Sequence, residues 1–461
     1  MKTWQDFEEL RAQDEASAIY KIISDWKESK IYKTAVLADT YDRQENDTIM
    51  TYVKKMFSLT GLEIQDFTAS NNKIASNFFR RLNVQRNTYS LGNGITFDDK
   101  SVKDQFGKKF DTVLMKAAYK ALIHGVCFPF WNGNLNYFEA TEFAPLWDEE
   151  TGALMGGIRF WQIDNTKPMF AVVYESDGYT KWKNTNDEGF KVVVEKQPYV
   201  KEVIYTVADG TEVVNSHNYS ALPVIPLWGS SLKQSTLVGL RSQIDSYDLI
   251  RSGFANDLSD VAQIYWIVEN YGGMSDSDLA RFRDRLKLNH IAEADTSEGG
   301  KITPYSQDVP YQARQTYLDG IRQSIYDDFG AFDVRGFSSG AKTATEIDAA
   351  YQPLDENADD FEAQIIEFVQ SLGTLIGIDE DKCTPLFKRN KISNATEMVQ
   401  ALAVADWLDE ETKVRHTPFI SVDEQGEVLD RLSSESLDRM SGTPTDENAS
   451  PRSPVDTGEE E

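Results

Sequence analysis

The chain has 461 residues, 40% hydrophobic and 11% aromatic, which is enough for a large core and more aromatic than a disordered polymer. Lys and Arg number 47 against 75 Asp and Glu, a formal net charge of -28. Tight DNA binding rests on phosphate neutralisation by basic surface, so this balance excludes a general DNA gripper and leaves room only for weak, local contact. No stretch approaches the ~18 apolar residues of a membrane span, and the first residues carry no apolar signal region, so a protein made in the cytosol is expected. Cys127 and Cys383 lie far apart without CxxC spacing and read as buried thiols.

In chain order, Trp4, Phe7 and Leu10, then Ile19, Ile22, Ile23 and Trp26, recur at helical spacing. A helix is predicted over 71–89, with Ile74, Phe78, Leu82 and Gln85 on one side, ending where Gly92, Asn93 and Gly94 accept a left-handed cap. Another spans roughly 102–124. The period then changes. A hairpin over 128–138 turns at Asn132 and Gly133, and strand-like runs follow over 158–163, 170–174, 179–182, 190–194, 200–207 and 211–214. From about 127 to 228 this is a mostly antiparallel block rather than a series of βαβ units, and the fold class is α+β.

Leu240, Ile244, Tyr247, Arg251, Phe254, Leu258 and Val261 then alternate by 4 and 3, a heptad seam with one polar member. Asp245, Asp248, Ser252, Asn256 and Ser259 form the other side, which is expected to meet water. A mixed stretch over 267–310 includes a basic helix carrying Arg281, Arg283, Arg285 and Lys287, and a further helix covers 312–332. After a Gly/Ser loop over 333–342, Thr343 and Glu346 fit a capping box. The seam from Ile347 to Leu375 spans on the order of 40 Å at ~1.5 Å per residue. Pro353 inside it lacks an amide proton and predicts a kink. A second capping box at Asn394 and Glu397 opens a helix to about Leu408, and the tail from Ser421 is acidic and largely disordered by composition.

Catalytic motifs fail on their spacing. The run from Gly336 to Thr343 is glycine-rich, but Ala341 stands where a P-loop needs glycine before Lys342, so lysine and threonine would not reach phosphate and metal together. His124, His217, His290 and His416 are scattered, with no partner at zinc spacing. There is no GxSxG elbow, and Asp276-Ser277-Asp278 lacks the glycine and distal glutamate of a calcium loop. No cofactor is expected.

The order of parts is a seam helix, a small insertion, a second helix, a Gly/Ser loop and a long helix. In this order the chain resembles portal proteins of long-tailed phages of Gram-positive bacteria. The matching residues are 72–79, 123–128, 223–227, 243–257 with Gln243, Asp245, Tyr247, Asp248, Phe254 and Asn256, and Thr345, Glu346, Ile347, Ala350 and Tyr351.

The resemblance implies a non-enzymatic ring, typically of twelve subunits, at one capsid vertex of the virion, assembled in the host cytoplasm. Double-stranded DNA would be packaged and ejected through it. Expected partners are the terminase large subunit, the head-tail adaptor, the major capsid protein and the scaffolding protein, with no membrane. It further implies a wing over 1–235, stem helices over 236–262 and 311–332, and a clip over 263–310. A tunnel loop over 333–342, a long kinked wing helix over 343–385 and a crown over 386–420 would follow, with 421–461 as a tail without assigned role.

Within that scheme Asp245, Asp248, Arg251 and Ser252 belong to the channel and stem. Arg251 makes either an intersubunit ion pair or a DNA contact. Arg335, Ser338, Ser339 and Lys342 lie on the DNA-facing loop, against the bland reading of a flexible polar loop. Arg281, Arg283, Arg285 and Lys287 form either a solvated helix face or a docking face for clip partners. The competing readings are a monomeric acidic hydrolase, which needs two converging carboxylates in a concave pocket, and another virion component such as a minor head protein.

Overall fold

A computed structural model describes residues 2–57, 62–66, 70–185, 189–206, 212–261, 265–269, 277, 301–305, 311–337, 343–391, 402–405, 407–417, 426 and 428–434. The chain divides into two compact units, residues 1–333 with 352–390, and residues 334–351 with 391–461.

The first unit opens with helices α1 (Trp4–Arg11), α2 (Glu15–Glu28), α3 (Lys30–Asp42) and α4 (Asp47–Thr51). Each of the first three starts on a polar cap: Thr3 with Asp6 as a capping box, Asp14, and Ser29. The short strands β1 (Lys55–Phe57) and β2 (Glu63–Gln65) pair antiparallel. Helix α5 is Phe78–Leu91, seven residues shorter at its start than the sequence pattern predicts, because Asn72, Ile74 and Ser76 give their backbone donors to another helix instead. Strand β3 (Ile95–Thr96) follows. The single helix predicted over 102–124 is two, α6 (Lys100–Phe106) and α7 (Phe110–His124), broken by Gly107 at φ +84°.

The antiparallel block is present with two strands more than the pattern showed, β6 (Phe143–Trp147) and β13 (Leu227–Trp228). β4 (Val126–Trp131) and β5 (Leu135–Glu139) form the expected hairpin, with Gly133 at φ +86°, and β13 (Leu227–Trp228) joins β4. A five-stranded sheet has the order β10-β9-β8-β7-β6, where β6 is Phe143–Trp147, β7 Leu154–Trp161, β8 Met169–Glu175, β9 Gly178–Asn184 and β10 Phe190–Gln197. β11 (Val200–Thr206) and β12 (Glu212–His217) pair separately. β6 escaped prediction because Ala144 and Pro145 weaken its strand character. Ile19, Ile22 and Trp26 of α2 share one core with Ile158, Phe160 and Val173 of the sheet, and Trp26 Nε1 donates to the Ala140 carbonyl at 2.9 Å.

A second core joins Phe110, Leu114, Ala118 and Leu122 of α7 to Phe361, Ile365, Phe368 and Leu372. Cys127 and Cys383 lie in it as buried free thiols. The third gathers Ala38, Tyr41, Phe79 and Leu82 with residues of α8 (Leu237–Val261) and α9 (Tyr311–Phe329). Between those two helices, β14 (Tyr265–Glu269) pairs antiparallel with β15 (Lys301–Tyr305). The basic helix expected over 275–290 lies outside the described residues apart from Ser277.

Helix α10 (Ala344–Ile376) begins on the expected capping box: Thr343 N–H donates to Glu346 Oε2 at 3.0 Å, and Glu346 N–H to Thr343 Oγ1 at 3.3 Å. It runs helical through Pro353 without ending there. β16 (Leu386–Phe387) pairs with β3. In the second unit, residues 402–404 and 428–434 are helical and α11 is Glu410–His416; the capping box at Asn394 lies outside the described residues. Among the described residues no helix is long and apolar enough to cross a membrane.

Candidate functional site

The seam predicted over 240–261 is α8, and its partner is α9. Gln243 donates to the Asp328 carboxylate, Ile244 shares a core with Ile325, Phe254 and Tyr311 place their rings 5.7 Å apart, and Asp257 pairs with Arg314. The start of α8 meets the end of α9 and the end of α8 meets its start, so the two helices run antiparallel, and β14 pairs with β15 in the segment between them.

The seam changes character along its length. Leu240 and Ile244 are buried, and Tyr247 meets Phe78 edge-on at 4.9 Å. Past that point the described residues leave the seam uncovered: Arg251 is exposed and Leu258 is 55% exposed, as are Tyr311 and Tyr317 to similar extents on α9. Among the described residues Arg251 has no ion-pair partner. A groove lined by Ile250, Gly253 and Asp257 of α8 and Ala313, Arg314 and Tyr317 of α9 runs along one flank of the pair. The pair therefore presents two unlike flanks, one a groove and the other bearing Arg251 and Leu258.

The middle of the polar stripe of α8 does not face water: Asp248, Ser252 and Asn256 are buried and Asp245 is partly covered, which differs from the sequence expectation, while Ser259 is exposed. Ser76 N–H donates to Asp248 Oδ1 at 2.9 Å, Ile74 N–H to Ser252 Oγ at 3.0 Å, and Asn72 N–H to Asn256 Oδ1 at 2.6 Å. Every second amide of the strap meets every fourth side chain of the helix. The two repeats nearly coincide, about 6.6 Å for two extended residues and about 6 Å for four helical ones. Asp248 also accepts from Asn46 Nδ2, and Asp245 accepts from Tyr41 and from Thr48 Oγ1 at 2.8 Å. Burial raises the Asp248 carboxyl above its usual range, an effect the hydrogen bonds of Asn46 and Ser76 only partly offset. A polar stripe opposite a seam reads as solvent-facing because its partner lies more than 170 residues away in sequence.

Arg335 is exposed, on a short 3-10 turn Val334–Phe337. Ser338, Ser339 and Lys342, and the basic set Arg281, Arg283, Arg285 and Lys287, lie outside the described residues.

One cluster had no signal in sequence spacing. Asp39 of α3, His124 of α7 and Glu139 of β5 bring potential ligand atoms within 4.8 Å of one another. Lys120 Nζ stands 3.0 Å from both Asp39 and Glu139, and His124 Nε2 lies 3.0 Å from Asp39 Oδ1. The chain's own ammonium thus occupies the place a metal cation would take. Burial alone would raise the Asp39 carboxyl; the hydrogen bond of His124 and the charges beside it outweigh this and hold it at about 2.

Comparison with known proteins places these features in a family. Residues 31–440 match the family described as "Phage portal protein, SPP1 Gp6-like". The portal protein of Bacillus phage SPP1 is 22% identical over 450 residues, covering 90% of this chain and 85% of the relative. The portal protein of Clostridium phage phiCD119 is 24% identical over 219 residues, 46% of this chain, so the match spans about half that relative's length. Among solved structures, the neck of an empty GTA particle computed with C6 symmetry aligns at a TM-score of 0.42 and 11% identity, covering 73% of this chain and 89% of that one. The neck of a native GTA particle computed with C12 symmetry aligns at 0.41 and 9% identity, covering 74% and 89%.

Proposed function

The chain belongs to the SPP1 Gp6-like phage portal protein family, a structural and non-enzymatic family, and from that membership we propose how it works: as a ring at one capsid vertex through which double-stranded DNA enters and leaves. The observation that carries the reading is the helix pair α8–α9, whose two exposed flanks differ. Unlike flanks make a head-to-tail contact between copies, and such contacts close into rings when the rotation between copies permits. Twelve copies is the number the family resemblance supports.

In this reading residues 1–235 are the wing, 236–262 and 311–332 the stem, 263–310 the clip, 343–385 the long wing helix and 386–420 the crown. Residues 421–461 carry no assigned role. Asp245, Asp248 and Ser252 hold the strap and are not DNA contacts; on α8 the stem contact falls to Arg251, as an ion pair to the next copy. Residues 333–342 are the DNA-facing loop, with Arg335 and Lys342 giving weak, salt-screened contact to phosphate. The net charge of -28 suits a conduit, since a sliding polyanion is not retained. Arg281, Arg283, Arg285 and Lys287 form the clip face that meets the terminase motor and then the head-tail adaptor. Translocation energy comes from the motor, so the purified protein hydrolyses no ATP. Scaffolding and major capsid proteins are the assembly partners, met in the host cytoplasm.

Native mass spectrometry with negative-stain imaging tests the ring: discrete closed rings of about a dozen copies are expected. A monomer that persists with scaffolding and capsid proteins present would end the portal-ring reading. For the loop, Arg335→Ala with Lys342→Ala is expected to leave rings intact and impair DNA packaging or retention; normal packaging and retention would remove the loop from the DNA path.

A further inference from the structure

Helix α9 ends in a Schellman motif. Gly330, at φ +62°, donates to the Asp327 carbonyl at 3.0 Å, and Ala331 N–H donates to the Tyr326 carbonyl at 2.9 Å. This leaves the Phe329 carbonyl at the negative end of the helix without a helical donor. Two side chains from distant parts of the chain supply it. Asn357 Nδ2 of α10 donates at 2.9 Å, and Arg86 Nη2 of α5 at 3.3 Å. Arg86 is 6% exposed, and its guanidinium also lies 4.5 Å from the centre of the Phe329 ring.

The fixing continues beyond the helix. Gln85 brackets Phe332, donating from Nε2 to its carbonyl at 2.9 Å and accepting its N–H on Oε1 at 3.2 Å. Asp333 accepts from Arg322 Nη2 at 2.6 Å. Gly330 is required for the fit, since a Cβ there would lie 1.9 Å from Asn357 Nδ2 and 3.0 Å from the Pro353 carbonyl. Residues 329, 330, 332 and 333 are each held by a named side chain from outside their own turn.

We infer that Gln85, Arg86 and Asn357 form an anchor that fixes the backbone of residues 329–333, the point at which the chain leaves α9 toward the proposed DNA-facing loop. This rests on the reading of 333–342 as the DNA-facing loop. The three are positioning residues; none is assigned a contact with DNA. The physical case is one of freedom lost in advance. A weak, screened phosphate contact is effective only if the backbone that presents it is already ordered by folding, since otherwise the contact must also order the chain. Gln85 and Asn357 direct their amides at backbone groups of 329–332, which is where such ordering must be applied.

The test uses the full-length protein assembled into particles, with Gln85→Ala and Asn357→Ala made singly and Gln85→Glu as the conservative variant that keeps an acceptor for the Phe332 N–H. Three quantities are read: ring formation by negative stain, amide hydrogen exchange over 331–335, and DNA packaged and retained per particle. The Arg335→Ala/Lys342→Ala double variant is run alongside. Expected are rings at the wild-type level, faster exchange at 331–335, and loss of DNA approaching that of the double variant, with Gln85→Glu intermediate. Full DNA content despite faster exchange, unchanged exchange, or loss of rings in both alanine variants would each overturn the anchor. If the double variant itself packages and retains DNA normally, the loop reading fails; if it is impaired while the anchor variants are not, only the anchor fails.

Discussion

The backbone N–H of Ile74 donates to the hydroxyl of Ser252 at 3.0 Å, joining a strap between α4 and α5 to the middle of α8. The bond is one of three in register, and its consequence is that α8, the first helix of the proposed stem, is tied along its polar face to the N-terminal part of the same chain. Ser252→Ala would leave the Ile74 amide without its acceptor in a partly buried position, at an expected cost of about 1–3 kcal/mol. Urea unfolding of the variant beside Ser252→Thr, which keeps the oxygen, measures it; equal stability of Ala and wild type would mean water replaces the hydroxyl.

Asp248 gives the same strap a pH dependence. Burial raises its folded-state carboxyl above the ordinary value of 3.8. The folded state therefore holds the proton more tightly than the unfolded chain does. This contribution is fully present below the unfolded value and is lost as pH rises through the folded one. Wild type is expected to gain stability over Asp248→Asn as pH falls toward 3.8. Denaturant midpoints of the two proteins across the acid range decide it, and parallel curves would contradict the burial argument.

Asp39 behaves in the opposite sense. Held at about 2 against 3.8 unfolded, its contribution is present above the unfolded value and is lost as pH falls toward 2. Removing the hydrogen bond with His124→Phe is expected to let the Asp39 carboxyl rise and to move acid unfolding to higher pH. Carboxyl titration by NMR reads the shift directly; an Asp39 still titrating near 2 would show that Lys120 alone suffices.

Arg389 closes β16 onto α10 by pairing with Asp355 at 2.9 Å, with Glu362 at 2.8 Å and with Asp359. Tyr89 adds its hydroxyl to Asp355 at 2.6 Å. Arg389→Met leaves three carboxylates on one side of a helix, with an expected loss of about 1.5–3 kcal/mol, partly recovered at high salt as their repulsion is screened. Thermal unfolding at low and high ionic strength separates the two parts, and a salt-independent loss would assign it to packing alone.

Arg251 should behave differently from all of these. It is exposed and, among the described residues, unpaired, so Arg251→Glu is expected to change monomer stability by no more than about 0.5 kcal/mol. If it pairs with the next copy, the same change abolishes rings. Monomer unfolding together with ring counts on grids tests both halves; rings at wild-type yield would return Arg251 to the solvent.

Much of the fold is legible along the chain. The hairpin at Asn132 and Gly133, the strands on either side of Asp177 and Gly178, the capping box of Thr343 and Glu346 and the 4–3 seam of α8 all follow from residues within about four positions of one another. Turn geometry, caps and helical periodicity act at that range, so the sequence by itself determined them. It also determined the acidic balance that keeps any DNA contact weak. Tertiary structure decided what depends on a distant partner. Residues 72–76 are a strap rather than a helix because side chains at 248, 252 and 256 take the amides of 76, 74 and 72. Asp248, Ser252 and Asn256 on the polar stripe of α8 are buried for the same reason. Asp39, Lys120, His124 and Glu139 become one ion cluster only when α3, α7 and β5 pack together, and Arg251 stands out as exposed only because the core beneath its seam ends before it. A buried polar group must find a partner wherever the fold brings one, and spacing along the chain carries no record of that choice.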